Sequence, residues 1–428
     1  MSFTLNEFFG NNSNGIKYSI QGDNKIIQTN AKSSSFISLK DLFRTIFLPE
    51  GYPNSVSEDY VSYQIWDTIQ AFCSSISGAL AAKAIFESIG VGDQTATAYG
   101  ATITWLIKDG TGMAGRIIFA WYQGSSLDSN SKMWRLYADI LNDFSFFVDL
   151  VTPYFAKSYS IYFISFSGLL RSIVGIAGGA TRSALTQHQA RQNNLADVSA
   201  KDNSQETLVN LVALILNMII LSYVQNSMSL IWILFCVFVM GHLFSNYKAV
   251  KAVVMKTFNR NRFRIVCHEY FKQGNILDPI EANKMEPVLM PLRGYFTIDL
   301  GANLKKLDHV RSDLSEKLKN NFYWIHFDFK SKKIIVLLNE CYSNSDLIKC
   351  MFQIELVDFV FKNRGFSSYK NLEEAVNIKD SGRIERESFK IADKILPEFL
   401  EKSKQIGWSY EYIQFSPGQF NYSLKKNE

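Results

Sequence analysis

Arg135, Asp139 and Asp143 follow one another at intervals of four, and a helix would place all three on one face with Asn142 beside them. Upstream, Tyr60, Gln64, Asp67 and Ala71 share a second helical face at i, i+4, i+7 and i+11, with Asp59 just ahead of them. Asp109 and Arg116 stand seven residues apart, close to one face if the turn between them is helical. All of these lie in stretches rich in aromatic and small residues, where a charge is costly unless it is paired. Pairing Arg116 or Arg135 with Asp67, Asp139 or Asp143 is the arrangement of lowest cost. Asp59, Gln64, Asp67, Asp109, Arg116, Arg135, Asp139 and Asp143 are therefore the candidates for one polar network. Such a network either fixes helix register through buried ion pairs or binds a small polar ligand or a proton within a helical bundle.

Other chemistries leave no comparable signature. There is no GxxxxGK[ST] phosphate loop, no GxGxxG opening a helix after a strand, no GxSxG elbow and no HExxH. The five histidines (His188, His242, His268, His309 and His326) are scattered without ligand spacing. Cys267, His268 and Glu269 are adjacent, but neighbouring helical residues point about 100° apart and do not converge on one ion. Cys73, Cys236, Cys267, Cys341 and Cys350 form no CxxC pair, and their odd number fits no disulfide framework. The expectation is no catalytic residue, no cofactor and no metal. A net charge of +5 is too weak to argue for a nucleic-acid partner.

The elements that must position the polar residues are legible from hydropathy. From Thr207 to Tyr247 the chain carries no Asp, Glu, Lys or Arg, although 20% of the whole sequence is charged. Gln225-Asn226-Ser227 divides this gap into two apolar arms, Leu208–Val224 and Met228–Ser245, each close to the ~30 Å hydrocarbon layer at ~1.5 Å per residue. A helical hairpin in a bilayer is the natural reading. Lys248, Lys251, Lys256, Arg260, Arg262 and Arg264 follow without acidic residues, which marks a cytoplasmic flank and puts the C-terminal region on that side. Before the hairpin, helices are expected at about 58–88, 94–107, 111–122 and from 132, with breaks at Gly90-Val91-Gly92 and Lys108-Asp109-Gly110. Ser74, Gly78 and Ala82 make a smooth ridge for a close helix neighbour, and Gly175 and Gly179 give a GxxxG spacing. Residues 182–206 read as a polar connection.

The two ends read differently. Residues 1–35 form a polar leader with one short strand near 25–29 and a chance-level glycosylation triplet, Asn11-Asn12-Ser13; they lack the basic and apolar regions of a signal peptide. Residues 291–428 read as a soluble α+β domain. Phe322–Phe329 and Lys333–Leu338 are neighbouring strands, Ser345–Lys362 and Glu385–Gln405 are helices, the latter interrupted by Pro397, and a closing hairpin turns at Ser416-Pro417-Gly418.

The polar helices also carry long, unusual strings. These are Phe47-Leu48-Pro49-Glu50-Gly51-Tyr52-Pro53, Tyr63-Gln64 with Trp66-Asp67, Lys108-Asp109-Gly110-Thr111-Gly112-Met113-Ala114-Gly115-Arg116, and Lys132-Met133-Trp134-Arg135 with Ala138-Asp139. They resemble the root UVB sensitive family over about residues 40–290. The family more often has Arg where Lys108 stands, which keeps the charge but alters any bidentate contact. The resemblance implies a domain without an established reaction, whose plant members are associated with ultraviolet-B responses, seedling development, auxin distribution and vitamin B6 homeostasis, and act in plastids with a related partner.

The expected protein is mostly α: a multi-helix, multi-pass membrane protein with a helical domain at 36–290, an apolar hairpin at 208–245 and a small C-terminal α+β domain. Its expected partners are the lipid bilayer and, in a homo- or hetero-oligomer, a family paralogue. The leading expectation is a non-enzymatic carrier or binder of a small polar metabolite, with a membrane scaffold or a membrane enzyme as alternatives.

Overall fold

A computed structural model of the chain describes residues 3–7, 16–21, 25–28, 39–89, 98–224, 227–307, 318 and 322–423. The triplet at Asn11, the break at Gly90-Val91-Gly92, the helix start at Gln94 and the turn residues Gln225 and Asn226 lie outside these. The chain divides into two compact units, one of Met1–Tyr122 with Trp134–Val253, the other of Gln123–Met133 with Val254–Glu428.

The first unit starts with an antiparallel sheet of β1 (Phe3–Glu7), β2 (Ile16–Gln21) and β3 (Lys25–Gln28) in the order β1-β2-β3. Sequence alone shows one strand of the three. Helices follow: α1 (Leu39–Phe47), α2 (Tyr60–Ser88), α3 (Ala98–Gln123), α4 (Ser131–Val151), α5 (Ser160–Gln189), α6 (Leu195–Tyr223) and α7 (Met228–Ala252). Four helical segments, Tyr60–Ser88, Lys157–Gln189, Leu195–Tyr223 and Met228–Ala252, are long and apolar enough to cross a membrane.

Three expectations fail here for packing reasons. Lys108-Asp109-Gly110 does not end a helix, and α3 runs straight through. A Cβ at Gly112 would lie 2.6 Å from Ser172 Oγ, and one at Gly115 only 2.1 Å from Leu169 Cδ1, so these glycines serve the close approach of α3 to α5 rather than a turn. The polar stretch 182–206 is mostly helix, because its charges face each other: Arg182 meets Asp202 at 2.5 Å and Glu206 at 2.7 Å across the α5–α6 hairpin. Gly175 and Gly179 face open space and hold no neighbour. The ridge on α2 fares better: Asn142 donates to Ser74 Oγ, and the Phe146 ring fills the space a Cβ on Gly78 would meet at 3.2 Å.

The second unit contains β4 (Thr257–Asn259), α8 (Arg260–Gln273), α9 (Pro279–Met285), β5 (Thr297–Leu300), β6 (Tyr323–Asp328), β7 (Lys333–Asn339), α10 (Asn344–Lys362), α11 (Lys370–Ile378), α12 (Ser381–Gln405), β8 (Ser409–Gln414) and β9 (Asn421–Tyr422). β6 and β7 are antiparallel neighbours, as the sequence indicates, and β5 adds in parallel to β7. Phe263, Phe352, Phe359 and Phe399 close a core between α8, α10 and α12. α12 is not interrupted by Pro397, which lies on its exposed side while Leu396 and Phe399 hold the helix to the core. The expected closing hairpin does not form. β8 pairs in parallel with β4 and β9 in parallel with β7. The chain is redirected between them by Ser416 at φ 47° and by Gly418, whose N–H donates to Leu300 O at 2.7 Å.

The basic flank after α7 is only partly available to solvent. Arg262 is 1% exposed and its Nη1 meets Glu286 at 2.7 Å, where Lys132 Nζ also arrives at 2.9 Å and Asn259 donates at 3.1 Å. Burial pushes the Glu286 carboxyl upward, but Arg262 and Lys132 overcome this and hold its pKa at about 2. A carboxylate depressed in this way contributes its stability fully above its unfolded value of ~4.3 and loses it as pH falls through the folded value. Glu286→Gln is therefore expected to destabilise the second unit by about 3 kcal/mol at neutral pH. The gap to wild type should close as pH drops from ~4.3 toward 2, read by hydrogen exchange of the β6–β7 amides.

Candidate functional site

α2, α4 and α7 meet along a strip of polar side chains. α4 runs parallel to α2 in one constant register: Arg135 faces Asp67, Asn142 faces Ser74 and Phe146 faces Gly78. α7 runs antiparallel to both, with Trp66 against Phe244, Phe72 against Phe238 and Gly241 beside Cys73. The i, i+4 spacings on each helix then stack into rungs. In the first rung, Arg135 Nη2 contacts Asp67 at 3.0 Å, Tyr63 donates to the same carboxylate at 3.3 Å, and Arg135 Nε stands 3.9 Å from Asp139. In the next, Gln70 Nε2 donates toward Asp139 at 3.5 Å and lies 2.9 Å from His242 Nε2. His242 is completely buried and its Nδ1 meets Asp143 at 2.7 Å. With Gln70 donating to Nε2, the imidazole proton sits on Nδ1 and points at Asp143.

Two features keep this from being a closed structural network. Three carboxylates (Asp67, Asp139, Asp143) face one guanidinium and the His242 imidazole, so acceptors outnumber the charged donors. Asp143 Oδ1 and both polar atoms of the Asn246 amide are buried without a hydrogen-bond partner among the described residues. Asn246 is 1% exposed and sits one turn from His242 on α7, so the antiparallel register brings it opposite Asp139, one turn from Asp143. Unfilled donors and acceptors at such depth are costly and call for a polar partner.

Not every predicted residue joins the ladder. Asp67, Arg135, Asp139 and Asp143 do, although Asp143 takes His242 as its partner rather than an arginine. Gln64 turns to a neighbouring cluster, donating to Asp202 at 3.1 Å beside Arg182. Asp59 accepts from Ser57 and meets His188 at 2.8 Å, tying the start of α2 to the end of α5. Asp109 and Arg116 are exposed on α3, so a buried Arg116 pair is ruled out. His242, Gln70 and Asn246 were missed. Counting histidine as neutral hides the one histidine in the charge-free gap, and its spacing of four to Asn246 is the available signal.

The second unit brings His268, Glu355 and Asp358 within 4.8 Å of one another, close enough to hold a metal. Cys267 and Glu269, the sequence neighbours of His268, do not take part, in line with the divergence expected of adjacent helical residues. Arg264 already contacts Asp358 and lies 3.6 Å from Glu355, and Lys362 reaches Asp358 at 3.3 Å. Two cations thus balance the two carboxylates, and the group reads as an ion-pair knot.

Fold and site define a class: a mainly helical protein with, among the described residues, four helices long and apolar enough to cross a membrane, charges sequestered between helices, and a strand-containing C-terminal region. Residues 33–274 match the family described as the vitamin B6 photo-protection and homoeostasis domain, and residues 275–419 match the root UVB sensitive protein C-terminal domain. The chain belongs to the root UVB sensitive family. It is 45% identical over 300 residues to RUS family member 1 of Dictyostelium discoideum, covering 69% of this chain and 56% of that protein. It is 42% identical over 243 residues to Arabidopsis thaliana protein root UVB sensitive 3, covering 57% and 55%. The chain thus spans about half the length of these two relatives. A further Arabidopsis thaliana relative, root UVB sensitive 2, is described as chloroplastic and is 27% identical over 254 residues, covering 59% and 57%. No solved structure matches.

Because Arg135 alone balances Asp67 and Asp139, Arg135→Ala is expected to cost ~3–5 kcal/mol, whereas Arg116→Ala at an exposed site stays within ~0.5 kcal/mol of wild type. Thermal melts of the two variants in detergent check the contrast, and equal melting temperatures would contradict it.

Proposed function

We propose that this protein is a non-enzymatic, multi-pass membrane protein that binds or transports a small polar metabolite through the ladder between α2, α4 and α7, with its C-terminal unit on the cytoplasmic side. The observation that carries this reading is the unfilled hydrogen-bonding capacity of Asp143 and Asn246 inside membrane-length apolar helices. Ionisable residues at such positions are rare and mark ligand or ion pathways. The surplus of carboxylates favours a cationic ligand. The family's description supplies a first probe: pyridoxamine, a vitamin B6 form bearing a primary ammonium.

Purified protein in sealed liposomes should take up labelled pyridoxamine or a related cationic metabolite saturably, and Asp67→Asn should abolish uptake. His242→Gln, which keeps a polar side chain between α2 and α4, should reduce uptake at least tenfold while leaving the melting temperature near that of wild type. Uptake unchanged in both variants sinks the reading.

A second reading is a membrane scaffold acting with a paralogue. It is favoured by Asp109 and Arg116, which leave exposed charge on α3 beside its packed edge. Arg116→Glu should then release a co-purifying partner without altering the melt.

A further inference from the structure

Composition singles out four helical segments as membrane-crossing and passes over α3 and α4, which carry Lys108, Asp109 and Arg116, and Arg135, Asp139, Asp143 and Asp149. Helix directions say more. α5 ends beside the start of α2, where His188 meets Asp59 and Ala190 bridges to Val56. α6 leaves that end and runs parallel to α2, with Asp202 at Gln64 and Asn217 donating to Ser75 O. α7 returns antiparallel. α4 runs parallel to α2 from Asp67 onward, so it too starts at the α2-start end. α2 finishes at the opposite end, and the chain must travel back before α4 can begin. Among the described residues between them, α3 is the segment long enough to do so. Its 26 residues measure ~39 Å, and its Phe119 ring contacts Trp134 at the start of α4, as that path requires.

We propose, building on the membrane reading above, that α3 and α4 also cross the bilayer, giving six crossings, and that one side of α3 is a lipid-contact surface. Tyr99 is 77% exposed near one end of α3 and Trp121 84% exposed near the other. Their separation along the helix is ~33 Å, which matches two interfacial aromatic anchors about a ~30 Å hydrocarbon layer. α3 packs on α5 by the narrow edge of Gly112 and Gly115, where Gly168 in turn admits the stem of Lys108. At ~100° per residue, Asp109 and Arg116 border that packed edge, where charge on a crossing helix is tolerated beside protein or water. Ile103, Ile107, Ile117 and Ile118 turn to the other side, and all four are exposed. The loop 124–130 then shares a side with residues after α7, and the segment 152–159 lies on the opposite side.

The full chain, in sealed vesicles of known orientation, carries one added cysteine at a time and is treated with a membrane-impermeant maleimide, the labelled site being read by mass spectrometry. Asp128→Cys is expected to label from the same face as Lys402→Cys, and Ser158→Cys from the other. Labelling of Asp128→Cys from the Ser158→Cys face means four crossings and overturns the proposal while leaving the membrane reading intact. Labelling of all three from one face in protein that carbonate extracts overturns both.

Discussion

A charge taken out of water must find its counter-charge within a few ångströms, and α2 is where the first unit meets that demand. The helix is apolar over most of its circumference, yet it carries Tyr63, Gln64, Asp67 and Gln70 in two turns. Tyr63 donates to Asp67 on α2 itself, and the other three find partners on different helices: Asp67 on α4, Gln64 on α6, Gln70 on α7. A one-residue slip of any neighbour would rotate it by ~100° and strand a carboxylate among leucines. The hydrophobic contacts of Leu80, Ala84, Ile231 and Phe235 supply cohesion but tolerate such slips far better. The polar rungs therefore set which helix sits where, and the apolar surface decides only that they sit together.

The same arrangement links packing to the site. Small residues at Ser74, Gly78 and Gly241 let α4 and α7 come close to α2, and closeness is what turns separate i, i+4 patterns into rungs that touch. A large side chain at Gly78 would collide with Phe146 and push α4 away from the level of Arg135 and Asp67. Geometry at one end of the contact thus protects electrostatics at the other.

Much of this could be read from residue order. The period of four in Arg135, Asp139 and Asp143, the small-residue ridge on α2, and the β6–β7 pair all express local rules and appear as expected. What escaped depends on distant partners. The nearest acidic residue to His242 in sequence is Glu269, 27 positions on, so nothing local singles the histidine out, and it becomes part of the ladder only because α7 folds back beside α4. α3 contains a Lys-Asp-Gly string that ends helices in isolation, and only contact with α5 shows that its glycines are wanted for their lack of a side chain. The Ser416-Pro417-Gly418 turn was legible, but Phe415 and Tyr422 on its two sides belong to different hydrophobic clusters, so the flanking strands separate instead of pairing.

The cations that follow α7 lead two lives. While the chain is being made, Arg262 and Arg264 have no folded partners, and with Lys248, Lys251, Lys256 and Arg260 they form a dense positive segment directly behind an apolar hairpin, the pattern that retains a chain end on one face of a membrane during insertion. Once Glu286 and Asp358 arrive later in synthesis, both arginines withdraw into ion pairs and the attraction to anionic headgroups falls. Orientation would then be decided early by a charge cluster of which the folded protein still exposes Lys248, Lys256 and Arg260 but no longer Arg262 and Arg264.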